Sequence, residues 1–223
     1  MQVLKKIAEI VSEVELFIQY GVQASEQQIG LELLQRYRND ALALQLMRAF
    51  YTSLPETHEE AIGRIAMIRQ KEGIFLLGVT TARHNYLYLA TDQQALLLGE
   101  YGQEVLDPEL LVFFGYTDSD DFLGKCPVLA SCEEYEPASA PGSRLCPVCL
   151  VATGEYHLLG CPVEVCPWCD GQLSRCGCRF EQLGVEELTD EDKLEELERL
   201  LEEKGRVPYI REHRPSYLSE PNE

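Results

Sequence analysis

The chain has 223 residues, 45% of them hydrophobic, and a formal net charge of -19. Apart from the strong acidity, these values are ordinary for a globular protein of one or two domains. No apolar stretch approaches the ~20 residues that span a bilayer, so a membrane protein is not expected. The acidic charge repels phosphate backbones, which argues against direct binding of nucleic acid. The start, MQVLKKIAEI, has charges within its apolar stretch and does not predict a signal peptide, so we expect a cytoplasmic protein.

Three amphipathic helices are predicted in the first part of the chain. Apolar residues recur at helical spacing over residues 2–20, and Gly21 is a typical helix end. Ser25 is a candidate cap for a second helix, and Asn39 or Asp40 is a candidate cap for a third. The apolar faces of these helices predict a packed core.

A fourth helix and then a strand region are predicted next. Thr57 and Glu60 form a capping-box pair, which predicts a helix that ends at Gly73. From there on, short apolar runs are separated by turn-forming residues, which is typical of strands. The runs IFLLGVTTA, YLYLAT and ALLLGE predict a small antiparallel meander of about three strands.

Three further features precede the cysteine-rich part of the chain. Asp107, followed by a proline, predicts the start of a short helix or turn. Asp118, Asp120 and Asp121 are interpreted as a solvated acidic loop, because they lack the glycine and distal glutamate of a calcium loop. Residues 133–145 contain prolines, serines and a glycine, and they predict a linker.

Seven of the nine cysteines and one of the four histidines lie between Cys146 and Cys178. They form four pairs, and eight such residues fill two tetrahedral zinc sites with none left over. The residue types and their count therefore predict two structural zinc ions. The candidate ligands are Cys146, Cys149, His157, Cys161, Cys166, Cys169, Cys176 and Cys178.

Two divisions of these pairs remain open. In the sequential division each half of the segment binds one zinc ion, which closes shorter loops. In the interleaved division the two Cys-Pro-x-Cys turns share one ion and the other two pairs share the second. The spacing between Cys149 and Cys166 matches a C-x2-C-x15–20-C-x2-C zinc pattern and favours interleaving. A redox dithiol centre is not favoured, because neither turn is flanked by a predicted strand and helix.

The segment 146–178 resembles bacterial zinc-ribbon and zinc-knuckle modules that contain Cys-Pro-x-Cys turns. The resemblance rests on the CPVC and CPWC turns, and it implies a structural metal and an interaction surface but no reaction. The order of the pairs is also similar to that of cross-brace modules such as RING domains. The Cys-x-Cys ending departs from theirs, so no ubiquitin-related activity is implied.

The last part of the chain predicts an acidic helix followed by an extended tail. Thr189 is a candidate cap, acidic residues follow it, and Gly205 is a typical helix end. The predicted fold class is α+β, with N-terminal helices, a small antiparallel meander, a two-zinc module and a C-terminal helix. The predicted domains are residues 1–132, a linker at 133–145, the zinc module at 146–180 and the acidic C-terminal segment at 181–223.

Three functions are consistent with these features. The favoured one is a cytoplasmic interaction or adaptor protein that binds a protein partner, holds structural zinc and has no catalytic activity of its own. Another is a nucleic-acid-associated regulator, although only Arg175 and Arg179 supply positive charge to the zinc module. The third is an enzyme with a site in residues 73–125, around His84, Tyr86 and Asp92. Cys126 and Cys132 lie outside the eight candidate ligands. They could replace one of those ligands, but the favoured interpretation is that both are free, buried thiols.

Overall fold

The structure, a computed structural model, describes residues 2–53, 59–103, 106–188 and 190–213, and side chains from Lys6 onward. The chain divides into two compact units, Met1–Pro141 and Gly142–Glu223. The predicted α+β fold class is confirmed, because N-terminal helices precede an antiparallel sheet and a C-terminal helix follows it. No described helix combines the length and the apolar character that a membrane crossing requires.

Three helices open the first unit, as predicted: α1 (Gln2–Gly21), α2 (Gln27–Tyr37) and α3 (Ala41–Thr52). The cap of α3 is Asp40, whose carboxylate accepts a hydrogen bond from the Ala43 amide at 2.8 Å. The predicted cap of α2, Ser25, is wrong: Glu26 precedes that helix and makes no side-chain capping bond. Most of α3 is buried, so this helix lies at the centre of the core.

The described residues contain a five-stranded antiparallel sheet in the order β4-β3-β2-β1-β5. The strands are β1 (Arg64–Lys71), β2 (Ile74–Thr80), β3 (Asn85–Ala90), β4 (Ala95–Glu100) and β5 (Glu133–Glu134). The predicted meander corresponds to β2, β3 and β4, and the sequence missed the strands at the other edge.

The predicted fourth helix is wrong, because its second half forms β1. Glu72 and Gly73 have φ values of 52° and 75°, so they form a two-residue turn that pairs Lys71 with Ile74. Positive φ at both turn positions matches the twist of antiparallel strands and closes a hairpin. The pairing with β2 across this turn therefore outweighed the helical spacing of the isoleucines. Thr57, the predicted cap of that helix, lies outside the described residues.

Side chains cover both faces of the sheet. On one face, Phe50 of α3 packs edge-on against Tyr86 of β3, with ring centroids 5.8 Å apart. On the other face, Leu76 and Leu87 belong to a buried cluster with residues of α4 (Pro108–Phe113) and α5 (Ser119–Lys125). Burial on two sides explains why β2 is a continuous apolar run and does not alternate with polar residues.

The short helices α4 and α5 both begin with an aspartate cap. Asp107 accepts a hydrogen bond from the Glu109 amide at 2.7 Å, as its position before a proline predicted. The interpretation of the next acidic cluster as a loop is wrong, since Asp118 caps α5 by accepting from the Asp121 amide at 2.8 Å. Asp121 in turn pairs with Lys125 one helical turn later, at 2.8 Å. A single 3-10 turn, Leu129–Ser131, follows.

The first residues of the predicted linker belong to the first unit. Glu133 and Glu134 form β5 against β1, and Tyr135 is 1% exposed. The Tyr135 hydroxyl lies 3.1 Å from both carboxylate oxygens of Asp40, and its carbonyl accepts a hydrogen bond from Tyr37 at 2.7 Å. These contacts connect Tyr135 to the helices of the first unit, and that compact unit extends to Pro141.

The second unit contains two described helices, α6 (Cys178–Leu183) and α7 (Glu191–Lys204). The C-terminal helix is confirmed, and Gly205 ends it with a φ of 96°. Asp190 caps it by accepting from the Asp192 amide at 3.1 Å. Thr189, the predicted cap, lies outside the described residues. The sequence missed α6, whose first residue is one of the candidate ligands.

Candidate metal centre

The eight candidate ligands meet in two groups of four. In each group the sulfur and ring nitrogen atoms all lie within 4.8 Å of one another, so each group could hold a metal ion. Group 1 contains Cys146, Cys149, His157 and Cys161, and group 2 contains Cys166, Cys169, Cys176 and Cys178. Both lie in the second unit.

The interleaved division of the ligands is wrong, because each group consists of two consecutive pairs. The path of the backbone between consecutive pairs explains this division. Each Cys-Pro-x-Cys turn reverses the chain within a short hairpin, so the following pair returns to the same turn and does not travel to a second site. Shorter loop closure, the argument for the sequential division, agrees with this arrangement.

The two turns are copies of one backbone structure, offset by 20 residues. In each copy the amide of the first cysteine donates to the carbonyl five residues later, and the flanking residues pair as an antiparallel bridge. The residue after the second cysteine has a left-handed backbone in both. The hydrogen bonds are Cys146–Val151 (2.8 Å) and Cys166–Gly171 (2.7 Å), the bridges are Leu145–Ala152 and Val165–Gln172, and the left-handed residues are Leu150 and Asp170.

Group 1 has the spacing of a tetrahedral site. Cys146 Sγ and Cys161 Sγ are 3.9 Å apart, and Cys149 Sγ lies 3.3 Å from His157 Nδ1. Zn–S bonds of ~2.3 Å and Zn–N bonds of ~2.0 Å give tetrahedron edges of roughly 3.5–3.8 Å. A disulfide is excluded at this distance, since its sulfurs would be ~2.05 Å apart. Cys146, His157 and Cys161 are buried, and Cys149 is partly exposed.

Backbone amides donate to the first cysteine sulfur of both groups, but at Cys166 burial outweighs them and raises the pKa. The amides two and three residues after the first cysteine of each turn donate to its sulfur. With hydrogen bonds from the Cys149 and Cys161 side chains, which contribute most, these amides lower the pKa of Cys146 to about 3. Hydrogen bonds with the Cys146 and Cys149 side chains raise the pKa of Cys161. Crowded thiols cannot all ionise beside one another, whereas a bound divalent cation would allow every one of them to be a thiolate.

Group 2 shows the same conflict between neighbouring thiols. A backbone hydrogen bond from Gly171 lowers the pKa of Cys169, and the hydrogen bond to Cys169 raises the pKa of Cys178 to about 12. Cys178 is the first residue of α6, so this helix positions the last ligand of the group. Cys166 is fully buried against Leu173, Leu197 and Leu201, which are core residues of the second unit.

The chain after α7 folds onto group 1, a contact that the sequence did not predict. Arg206 donates to the carbonyl of His157 at 2.6 Å and to the buried carboxylate of Glu164 at 2.7 Å. Tyr209 is 2% exposed, its ring packs edge-on against His157 at 5.2 Å, and its hydroxyl donates to the Leu145 carbonyl at 3.2 Å. We call residues 206–209 the C-terminal strap. No sequence motif marks these contacts, because a single arginine and a single tyrosine are common in tails.

The two remaining cysteines lie outside both groups. Cys126 is buried and Cys132 is partly exposed, and neither forms a disulfide. Burial, together with a hydrogen bond to Cys126, raises the pKa of Cys132 to about 12. The Cys132 thiol therefore stays protonated and unreactive at neutral pH. The prediction that Cys132 is buried is wrong, whereas Cys126 is buried as predicted.

The residues proposed for an enzyme site do not form one constellation. His84 and Tyr86 are neighbours at the start of β3, with ring centroids 6.0 Å apart, whereas Asp92 lies in the turn beyond the other end of that strand. His84 Nδ1 is 3.2 Å from the carboxylate of Glu60, which also pairs with Arg83 and accepts from Thr81. The Glu60 side chain is 1% exposed, and these bonds fasten it to the turn between β2 and β3.

This buried carboxylate predicts an acid-sensitive sheet. Burial alone raises the pKa of Glu60, but hydrogen bonds from Thr81, Arg83 and His84 outweigh it and lower the pKa from 4.5 to about 2. A lowered pKa in the folded state stabilises the fold above pH ~4.5, and that contribution is lost as the pH falls towards 2. Glu60→Gln should cost roughly 1–3 kcal/mol at pH 7, and the difference from wild type should shrink between pH 5 and pH 2.

Amide exchange of β2 and β3 measures this effect locally, without interference from the thiols of the second unit. Asp92→Asn is the matched control, because this carboxylate lies in a partly exposed turn and its loss should change stability by less than ~0.5 kcal/mol at any pH. A constant difference between Glu60→Gln and wild type down to pH 2 would contradict the assigned role of Glu60.

Comparison with known protein families, with curated proteins and with solved structures gave no match for this chain. The two ligand groups and the repeated backbone turn that positions them indicate a metal centre.

Proposed function

We propose that this chain is a zinc-binding interaction protein, in which groups 1 and 2 each hold one structural zinc ion. The observation that carries this proposal is the presence of two complete sets of four thiol or imidazole donors. In each set the donor atoms all lie within 4.8 Å of one another. Three sulfurs with one nitrogen, or four sulfurs, are the donor sets that structural zinc sites use. Harder cations such as calcium and magnesium require oxygen ligands, which neither group supplies.

A structural role for the metal is supported by the number of protein ligands. Catalytic zinc keeps one coordination position for water or substrate, whereas four protein ligands occupy all positions of a tetrahedral ion. The ligands are also built into the folding of the unit, since Cys146 and Cys166 each belong to a buried apolar cluster. Zinc bound here would supply folding free energy to the second unit and no reaction chemistry.

A role in protein interaction is supported by charge and exposure. With a net charge of -19 the chain repels nucleic acid, and Arg179, one of the two arginines near the ligands, donates to the Leu173 carbonyl and stacks on Phe180. Tyr156 and Leu158, beside ligand His157, are 52% and 46% exposed, so their apolar side chains are accessible to a partner. Because thiolate ligands must stay reduced, the proposal includes a cytoplasmic location.

X-ray absorption spectroscopy of protein purified without chelator tests the metal assignment. Two zinc ions per chain should share seven sulfurs and one nitrogen, which is an average of about 3.5 sulfurs and 0.5 nitrogen per ion. His157→Cys should keep two zinc ions and remove the nitrogen contribution. A metal content near zero, or a first shell dominated by oxygen, would refute the proposal.

A further inference from the structure

The two ligand groups differ in how far solvent reaches their ligands. In group 1 three of the four ligands are buried, and the fourth, Cys149, is partly exposed. In group 2 Cys166 is buried, Cys176 and Cys178 are partly exposed, and Cys169 is exposed. A competing ligand removes a metal ion by approaching it past an accessible ligand. Group 2 therefore offers a route for metal exchange that is largely closed in group 1.

The C-terminal strap pairs through its backbone with the loop between two ligands of group 1. The Gly154 amide donates to the Tyr209 carbonyl at 2.9 Å, and the Tyr209 amide donates to the Glu155 carbonyl at 2.8 Å. This loop connects Cys149 to His157. The two hydrogen bonds, one in each direction, fix the strap in register beside the loop.

The side chain of Tyr209 packs among the ligands themselves. It belongs to the same buried cluster as Cys146 and Cys161. Its ring contacts the imidazole of His157 edge-on, with centroids 5.2 Å apart. Its hydroxyl donates to the carbonyl of Leu145, the residue before the first ligand, at 3.2 Å. Tyr209 therefore covers three of the four ligands from one side.

Arg206 holds the backbone next to two of these ligands. It donates to the carbonyl of His157 at 2.6 Å and to the carboxylate of Glu164, three residues after Cys161, at 2.7 Å. The side chains of Arg206 and Glu164 are 9% and 1% exposed. Separation of such a pair would leave a buried charge without compensation, so opening of the strap is disfavoured.

The imidazole of His157 depends on the strap for its orientation. Its Nδ1 faces Cys149 Sγ at 3.3 Å, which places this nitrogen among the donor atoms of group 1. In most metal sites a hydrogen bond to the other ring nitrogen orients the histidine ligand. Here Nε2 is buried and has no hydrogen-bond partner among the described residues. Packing against Tyr209 and the hydrogen bond from Arg206 to its carbonyl hold the residue instead.

We propose that the C-terminal strap retains the metal ion of group 1, so that the chain has one retained and one exchangeable zinc ion. Arg206 and Tyr209 are positioning residues, because they hold His157 with Nδ1 beside the cysteine sulfurs and close the group to competing ligands. Group 2, with its exposed Cys169, exchanges its ion first. The inference rests on the proposed zinc-binding function and adds which of the two ions is retained.

The test is zinc release from the full chain, loaded with two ions, into a large excess of a chromogenic pyridylazo chelator at neutral pH. Release should occur in two phases of one ion each, with group 1 at least roughly tenfold slower, because contacts around the ligands contribute about 10–100-fold to metal binding. Two ligand variants assign the phases. Cys149→Ser should keep the fast phase only, and Cys169→Ser should keep the slow phase only.

Substitutions of Tyr209 separate positioning of His157 from simple filling of the core. Tyr209→Leu keeps an apolar side chain in the cluster but lacks the ring, so it should accelerate the slow phase by roughly 10–100-fold. Tyr209→Phe keeps the ring and loses one neutral hydrogen bond, so the acceleration should stay below about fivefold. The fast phase should not change in either variant. Ile210→Ala is the matched control beside the strap, at a site that is 43% exposed, and it should leave both phases unchanged.

Several results would overturn the inference. They are release of both ions at one rate, release from group 1 before group 2, and equal rates in Tyr209→Leu and Tyr209→Phe. Acceleration of both phases together in Tyr209→Leu would also overturn it, because a general loss of stability affects both groups. In each of these cases a chain that carries two zinc ions leaves the zinc assignment intact. A chain without zinc would refute the proposed function on which the inference rests.

Discussion

Removal of the metal by a strong chelator should unfold the second unit and leave the first unit folded. Apparent binding free energies of structural zinc are ~10–16 kcal/mol per ion, which is comparable with the entire ~5–15 kcal/mol stability of a typical domain. The buried clusters of the second unit contain the ligands themselves: Cys146 and Cys161 in one, Cys166 in the other. Without a cation, the crowded thiols lose the charge that permits them to ionise together.

Hydrogen exchange measures this result residue by residue. Amides that hold the two Cys-Pro-x-Cys turns, such as those of Cys146 and Cys166, should lose protection, as should the amides of α6 and α7. Amides of β1, β2 and β3 should keep theirs, because the first unit has its own core around Leu76 and Leu87 and the described part of that unit contains no ligand group. A single cooperative loss of protection over both units would contradict this prediction.

Loss of one ligand should remove one metal ion and spare the other. Cys149→Ser should reduce the zinc content from two ions to one by destroying group 1, and Cys169→Ser should do the same through group 2. The physical reason is that no ligand is shared: every donor atom of a group lies within 4.8 Å of its three partners in that group. Cys132→Ser is the matched control, because this partly exposed cysteine lies outside both groups and its replacement should leave both ions bound.

The single tryptophan identifies which ion has been lost. Trp168 lies between the two cysteines of the second turn and packs against the buried cluster around Cys166. Its emission should shift to longer wavelength in Cys169→Ser, since the ring gains solvent as group 2 opens. Cys149→Ser should leave the emission unchanged. A shift in Cys149→Ser equal to that in Cys169→Ser would indicate that the two turns share one ion, as in the interleaved division.

Elements with strong local signals could be predicted from the sequence. The carboxylate of Asp40 caps α3, Asp107 caps α4 and Gly205 ends α7, because capping depends on the side chain and backbone of a few consecutive residues. The strands of the meander were predictable for a similar reason, since short apolar runs between turn residues pair with their neighbours. The set of eight candidate ligands, though not their division into two groups, could also be predicted, because cysteine and histidine at these spacings have few other uses.

Features that depend on distant contacts were not predictable. The isoleucines of β1 are compatible with a helix. They form a strand because β1 pairs with β2 through a two-residue turn and with the distant β5 on its other side. Glu133 and Glu134 lie in a polar stretch that is typical of a linker, yet hydrogen bonds of the Tyr135 side chain and backbone to Asp40 and Tyr37 hold that stretch in the first unit. In both places tertiary packing outweighed a weak local preference.

The sequence by itself determined which eight residues come together, and the tertiary structure decided how they divide. Their chemical type and count are properties of the chain, whereas the division depends on the path of the backbone between pairs. That path is set by two identical turns, each of which reverses the chain and returns the next pair to its own group. The strap residues Arg206 and Tyr209 depend on the fold in the same way, since a contact between positions about 50 residues apart leaves no local pattern.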